Sequence, residues 1–193
     1  MKILCAYLMF VSLLFSCVTS SVFARNTQSV VIGGTVHMNG ILSEGGCAVA
    51  TDSQNMHIKM GQYTTHAFDR TGALSTHSVP FTLRLTGCAP DIADRVGITF
   101  SGMAAPKAPD LFLVISADGS PVGVSGDNGF SGLGLMISDQ EGHQVIPGKV
   151  PTTFYRVNDS DVALHYIARY QATSRDVYPG PLRSNVRFDI SYP

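Results

Sequence analysis

The C-terminal stretch of the sequence, residues 185–193, alternates polar and apolar side chains without a fault. Successive side chains of a β-strand point to opposite faces of a sheet, so a period of two predicts a strand here. Arg187, Asp189 and Ser191 would then face solvent, whereas the apolar row must pack against another surface. The members of that row are Val186, Phe188, Ile190 and Tyr192.

A second alternation lies near the other end of the chain, at residues 30–38. It follows a segment with the features of an export signal and is as regular as the first. Its row consists of Val30, Ile32, Gly34, Val36 and Met38. Which surface each of the two rows packs against is therefore the main structural question that the sequence poses.

The first 24 residues have the composition of a signal peptide. Lys2 supplies a positive charge, residues 3–18 form an apolar run, and residues 22–24 fit a small-x-small cleavage site. A membrane anchor is the alternative, but the uninterrupted apolar stretch is shorter than the roughly 20 residues that span a bilayer. Lipid attachment at Cys17 is disfavoured by the bulky residues before it. We predict that residues 1–24 are removed on export.

The charges and cysteines of the mature chain exclude some classes of function. Lys2 leaves with the signal, so 12 of the 13 basic residues remain against 14 acidic ones, and no nucleic-acid partner is indicated. Cys47 and Cys88 are the two cysteines left, and such a pair in an exported chain is expected to form a disulfide. Closing a loop of about forty residues stabilises a fold by roughly 4 kcal/mol on a chain-entropy argument.

Short β-like segments recur along the mature chain, separated by turn-forming residues. No stretch keeps an apolar period near 3.6, and 19 Gly and 10 Pro disfavour long helices. The pattern predicts a single all-β sandwich domain, with at most a short helical turn near 92–94 or 105–111. The predicted strands are 30–42, 56–60, 79–85, 96–100, 111–116, 133–138, 153–156, 162–172 and 185–192.

Several short motifs occur in a characteristic order along residues 33–193. They are Gly33-Gly34-Thr35-Val36-His37, Cys47-Ala48-Val49, Met60-Gly61, Phe81-Thr82-Leu83-Arg84-Leu85 before Cys88, Ala168-Arg169-Tyr170, Gly180 and the penultimate Tyr192. Together with a signal peptide and one cysteine pair, this order resembles the pilin subunits of the chaperone–usher class, similar to the rod and minor subunits of type 1 fimbriae. Singly the motifs are weak signals, and their specificity lies in the combination.

The resemblance implies an incomplete immunoglobulin-like β-sandwich over residues 39–193 that lacks its last strand. A donor strand from another chain would complete it, first from a periplasmic pilus chaperone and then from the N-terminal arm, residues 25–38, of a neighbouring subunit. The arm would enter the neighbour's groove through Val30, Ile32, Gly34 and Val36. The edge of the groove that chaperone and donor strand contact would be formed by Val186, Phe188, Ile190 and Tyr192.

The residues of the arm favour this role on physical grounds as well. Gly34 would weaken a strand within a closed sheet, whereas in a donor strand it allows close approach to a shallow part of the groove. A slip of one residue would expose Val30 and Ile32 together, so the register is strongly specified. An ordinary edge strand at residues 28–38, with an exposed tip, is the alternative.

The sequence predicts no catalytic or metal site, and no cofactor. Its histidines show no HxH or HExxH spacing, and residues 129–133 only superficially resemble a nucleophile elbow. Scattered tyrosines could line a sugar-binding surface, but aromatic residues in a β protein usually serve packing. The histidines are His37, His57, His66, His77, His143 and His165.

The leading hypothesis is a structural fimbrial subunit, exported through the periplasm to the cell surface and there supporting adhesion. Its predicted partners are a periplasmic chaperone, an outer-membrane usher and neighbouring subunits. One alternative is a carbohydrate-binding tip adhesin, although the resemblance implies that such adhesins carry a separate lectin domain. The other is an exported β-sandwich enzyme or binding module, which would be closed and stable alone.

Overall fold

The structure is a computed structural model that describes residues 35–37, 40, 46–117 and 130–193. The chain divides into two compact units, Met1–Ile41 and Leu42–Pro193. In the first unit, the described residues 35–37 and 40 belong to no helix or strand. The predicted signal peptide and most of the predicted arm lie outside the described residues.

The second unit is built from short and medium-length strands. Two 3₁₀ turns, Thr51–Ser53 and Thr65–Phe68, precede the first long strand. Among the described residues, no helix is long and apolar enough to cross a membrane. The strands are β1 (Ala48–Val49), β2 (Val79–Thr86), β3 (Arg95–Gly102), β4 (Ala104–Ala105), β5 (Ala108–Ser116), β6 (Phe130–Asp139), β7 (Gln144–Val145), β8 (Tyr155–Arg156), β9 (Val162–Ala172), β10 (Leu182–Arg183) and β11 (Val186–Ser191).

The strands form two antiparallel sheets. The large sheet runs β1-β2-β9-β6-β5-β10, with β4 added on β5 and β7 on β6. The small sheet runs β11-β3-β8. In the small sheet the register places Phe188 opposite Phe100 and Ile190 opposite Ile98.

Strand β9 shows how an alternating sequence forms a sheet that is apolar on one face. Its even-numbered residues from Leu164 to Ala172 are buried, while His165 between them is exposed and bonds to Thr82 on the neighbouring strand at 3.0 Å. β-Branched and aromatic side chains suit such a half-buried pleated surface. The alternation therefore sets which face of the large sheet turns inward.

The core lies between the two sheets and is rich in aromatic rings. Phe100 of the small sheet meets Tyr166 of the large sheet edge to face, with ring centroids 4.9 Å apart. Phe81 stacks on Tyr166 at 5.7 Å, and Tyr63 meets Tyr170 edge to face at 5.6 Å. The Phe100–Tyr166 pair joins the two layers directly, and edge-to-face pairs add to the stabilisation from burial alone.

The all-β sandwich prediction is confirmed, and seven of the predicted strands are present, six of them with shifted ends. The strand at 56–60 is wrong: this segment forms no strand and pairs with none among the described residues. A helical turn at 105–111 is also wrong, since these residues turn from β4 into β5. At 92–94 the chain does turn, because the Ile92 and Ala93 amides both donate to the Ala89 carbonyl.

Candidate functional site: an unpaired strand edge

Strand β11 has a partner on only one side within the described part of the chain. It pairs with β3 over all six of its residues and ends the path of the small sheet. In an antiparallel strand every second residue turns its N–H and C=O away from a given neighbour. Half of the backbone groups of β11 are therefore free to pair with a further strand.

The apolar row of β11 is only partly covered. Val186, Phe188 and Ile190 are half-buried, although they face the same core as the β3 row. On β3, Ile98 and Phe100 are each 2% exposed. Because the two rows share one register and one core, the difference arises from the missing neighbour beside β11.

A second unpaired stretch follows β1, which ends the path of the large sheet. Residues 56–63 make no backbone–backbone hydrogen bond to another described segment. Met56, Met60 and Tyr63 are nevertheless partly buried against the core. The Tyr63 hydroxyl donates to the Met60 carbonyl at 2.7 Å, a hydrogen bond within the segment itself. Among the described residues, unpaired backbone thus occurs along β11 and again at residues 56–63.

Tyr192, the residue that continues the apolar row of β11, contacts the chain just before β1. Its hydroxyl accepts a hydrogen bond from the Cys47 N–H at 2.8 Å, just before β1. The structure forms the disulfide between Cys47 and Cys88, whose residues are 4% and 7% exposed. The edges of β1 and β11 therefore lie on the same side of the sandwich.

The structure describes one of the four arm residues that are predicted to act as a donor strand. Val30, Ile32 and Gly34 lie outside the described residues, and the side chain of Val36 is 76% exposed. The donor role of these four residues, and the role of Val186, Phe188, Ile190 and Tyr192 as a docking edge, stay predictions.

A cluster that the histidine spacing did not predict lies at the β6–β7 turn. One ligand atom each from Asp139, Glu141 and His143 falls within 4.8 Å of the others, which is the kind of grouping that can hold a cation. The side chain of Asp139 is 5% exposed and already accepts bonds from the amides of Glu141 and His143 at 3.0 and 2.8 Å. The hydroxyl of Thr153 donates to it at 2.8 Å.

These bonds decide the ionisation of Asp139. Burial alone raises the pKa of its carboxyl, but hydrogen bonds from Thr153 and His143, with the charge of His143, outweigh burial and lower the pKa. Gly142, at φ +89, provides the left-handed turn that lets the amides converge on the carboxylate. The arrangement organises a turn, and its signal in the sequence is the spacing of an aspartate, a glycine and a histidine over residues 139–143.

A cavity of about 280 Å³ lies beside β8, at the edge of the small sheet remote from β11. Its walls include Ile98, Val145, Val150 and Tyr166. The hydroxyl of Tyr155, another wall residue, is buried without a hydrogen-bond partner among the described residues. Burial, reinforced by the negative charges of Asp139 and Glu141, raises the pKa of Tyr155 to about 12. The cavity is lined mainly by apolar groups and contains no recognisable catalytic arrangement.

Comparison with known proteins gives consistent matches over most of the chain. Residues 32–193 match the family model described as fimbrial protein. A putative fimbrin-like protein, FimI, of Salmonella typhi is 40% identical over 85% of this chain and 88% of its own length. The fimbrial subunit type 1 of Salmonella typhimurium is 32% identical over 97% of this chain and 94% of its own length.

Solved structures share the fold at low sequence identity. The P pilus rod subunit PapA superposes with a TM-score of 0.63 and 18% identity, over 77% of this chain and all of that chain. A subunit from a chaperone-usher pilus gives a TM-score of 0.66, also at 18% identity, over 86% of this chain and 99% of that chain. The CupB6 tip adhesin of Pseudomonas aeruginosa gives 0.58, with only 38% of its chain covered.

Proposed function

Since the chain belongs to the fimbrial protein family, we propose how it assembles: it is a structural pilus subunit, and the arm of one copy completes the sandwich of the next. The observation that carries the proposal is the edge of β11, where the apolar row of a strand paired on one side only remains half-buried. An exposed strand edge over a hydrophobic core invites addition of another strand. The proposed partner is the arm at residues 25–38 of a neighbouring subunit.

The energetics favour stable addition of such an arm. Fully burying an apolar side chain contributes roughly 1.5–3 kcal/mol, so Val30, Ile32 and Val36 together contribute roughly 4.5–9 kcal/mol gross. The row of β11 gains further burial at the same time, and main-chain bonds add to both. A strand with this alternation therefore supplies both requirements of the edge: backbone partners and apolar side chains.

Export and delivery follow from the same exposed edge. The subunit is carried to the cell surface as part of a fimbrium, and we propose that residues 1–24 direct its export and are then removed. An open edge of this kind promotes aggregation, so a periplasmic chaperone that covers it and an outer-membrane usher that receives the subunit are the expected partners. The proposed role is structural and involves no catalysis.

The main rival is a tip adhesin with its own receptor-binding domain. The solved CupB6 adhesin is matched over only 38% of its chain, so most of that protein has no counterpart in the present match. The relatives that are covered over most of their length include the fimbrin-like protein and the type 1 subunit. This coverage supports a rod or linking subunit over an adhesin.

The proposal is tested by adding the arm as a separate peptide. The full mature chain, with its own arm disabled by Val30→Asp and Ile32→Asp, is refolded with a synthetic peptide of residues 26–38. We expect the peptide to bind and to raise the midpoint of urea unfolding, while a peptide carrying the same two substitutions does neither. A disabled chain that unfolds cooperatively at the same midpoint with either peptide would refute the proposal.

A further inference from the structure

We propose that Tyr192 is a positioning residue: it closes one end of the unpaired edge beside β11 and so fixes the register of a strand that adds there. This inference rests on the proposed function and goes beyond it, because strand addition alone does not set where the added strand stops. Its basis is the contact between Tyr192 and Cys47, which bridges the edges of the two sheets.

The contact is well defined. The Tyr192 hydroxyl lies 2.8 Å from the Cys47 amide nitrogen and 3.4 Å from the Cys47 carbonyl oxygen. Pairing of β1 with β2 begins at Ala48, so the Cys47 amide has no ladder partner among the described residues and depends on this hydroxyl. The ring also packs on Gly46, where an added Cβ would lie 3.5 Å from the Tyr192 Cε1 atom.

The anchor of the contact is rigid. Cys47 is 4% exposed and joined to Cys88 by the disulfide, and the Gly46 carbonyl accepts a bond from the Ala89 amide at 2.8 Å. Packed sheets lie about 10 Å apart, and a tyrosine side chain with one hydrogen bond covers most of that distance. The side chain therefore reaches from the end of β11 to the start of β1.

This closure solves a problem that alternation leaves open. A slip of one residue turns the apolar side chains of a strand to the wrong face, so the pattern itself excludes odd slips. A slip of two residues preserves the pattern and is not excluded in that way. A slip of two residues toward Tyr192 would carry an inward side chain of the added strand past Ile190 and against the Tyr192 ring.

The test uses a peptide whose repeating sequence favours no particular register. A repeat of alternating threonine and valine, spin-labelled at one end, is bound to the arm-disabled chain labelled at exposed Thr86 through Thr86→Cys. In the wild-type background we expect one label-to-label distance. In Tyr192→Phe, and more strongly in Tyr192→Ala, we expect a second population displaced by about 7 Å, the length of two strand residues. Tyr178→Phe, which alters another partly exposed tyrosine, is the matched control and should keep one distance.

The outcomes separate this inference from the proposed function. One register in every variant, or several registers already in the wild-type background, would overturn the role of Tyr192. Failure of the wild-type background to bind even the peptide of residues 26–38 would overturn the proposed function and this inference with it. A loss of stability in Tyr192→Phe without a second register would also count against positioning, because it would show only that the hydrogen bond stabilises the fold.

Discussion

At the scale of single residues, the described fold contains two tyrosines whose hydroxyls are in opposite situations. The hydroxyl of Tyr192 is bonded to Cys47, whereas that of Tyr155 is buried without a partner among the described residues. A buried polar group without a hydrogen bond costs about 1–3 kcal/mol, so removing it relieves that cost. The same substitution should therefore have opposite effects at the two sites.

We expect Tyr155→Phe to raise the free energy of unfolding by about 1 kcal/mol and Tyr192→Phe to lower it by a similar amount. Both are measured by urea denaturation of the arm-disabled chain. A drop in stability for Tyr155→Phe would mean that its hydroxyl makes a bond that the geometry does not show.

The lowered pKa of Asp139 predicts that the stability of the fold depends on pH. Its pKa is lowered in the folded state from the ordinary value of 3.8, so the carboxylate stabilises the fold above about that pH. This contribution is lost as the pH falls through the folded-state pKa. We expect Asp139→Asn to lower the free energy of unfolding by about 1–3 kcal/mol at pH 7 and by clearly less at pH 3.

This prediction is checked by measuring the free energy of unfolding of the wild-type chain and of the Asp139→Asn variant at pH 7 and at pH 3. Asp159→Asn, at an exposed loop position, is the control and should shift stability by less than about 0.5 kcal/mol. An equal loss for Asp139→Asn at pH 7 and pH 3 would contradict the assigned role of the carboxylate.

At the scale of elements, β3 and β11 carry phenylalanines that lie opposite each other and differ in burial. Phe100 is 2% exposed and contacts rings on both sheets, whereas Phe188, opposite it in the register, is half-buried. In the subunit alone, burial decides the cost of truncation, so Phe100→Ala should cost roughly 3–5 kcal/mol and Phe188→Ala less.

With the donor peptide bound, we expect the loss of stability in Phe188→Ala to approach or exceed the loss in Phe100→Ala. The reason is that the added strand completes the burial of Phe188. Peptide affinity should fall at least about tenfold in Phe188→Ala, measured by titration with the peptide of residues 26–38. If Phe188→Ala and Phe100→Ala reduced stability equally without peptide, and neither changed affinity, β11 would be an ordinary core strand.

The elements also show what sequence patterns can establish. The bounds of β9 are predicted residue by residue because its alternation holds over the whole strand. The segment at 56–60 alternates too, but alternation reports which face is apolar and says nothing of whether a neighbouring strand is present. Two-residue strands such as β7 and β10 depend on their tertiary partners and have no signal of their own. The Tyr192–Cys47 contact joins residues 145 positions apart, beyond the reach of local patterns.

At the scale of the whole molecule, the family resemblance connected these local features into a function. An all-β pattern with one cysteine pair predicted the sandwich and the disulfide, and both are present in the structure. Alternation alone could not tell a closed last strand from an open one, because both need an apolar row. The structure adds the half-buried row of β11 beside its fully buried partner, which gives the proposed donor arm a place to bind.

The central claim is that β11 pairs only with β3 in the isolated subunit and gains a second neighbouring strand in the fimbrium. Amide hydrogen exchange of Val186–Ser191, measured in the arm-disabled monomer and in assembled fibres, tests it most directly. We predict that alternate amides of β11 exchange rapidly in the monomer, because only one side is paired, and become protected in the fibre. Uniform protection along β11 in the monomer, or no gain of protection in the fibre, would contradict the account.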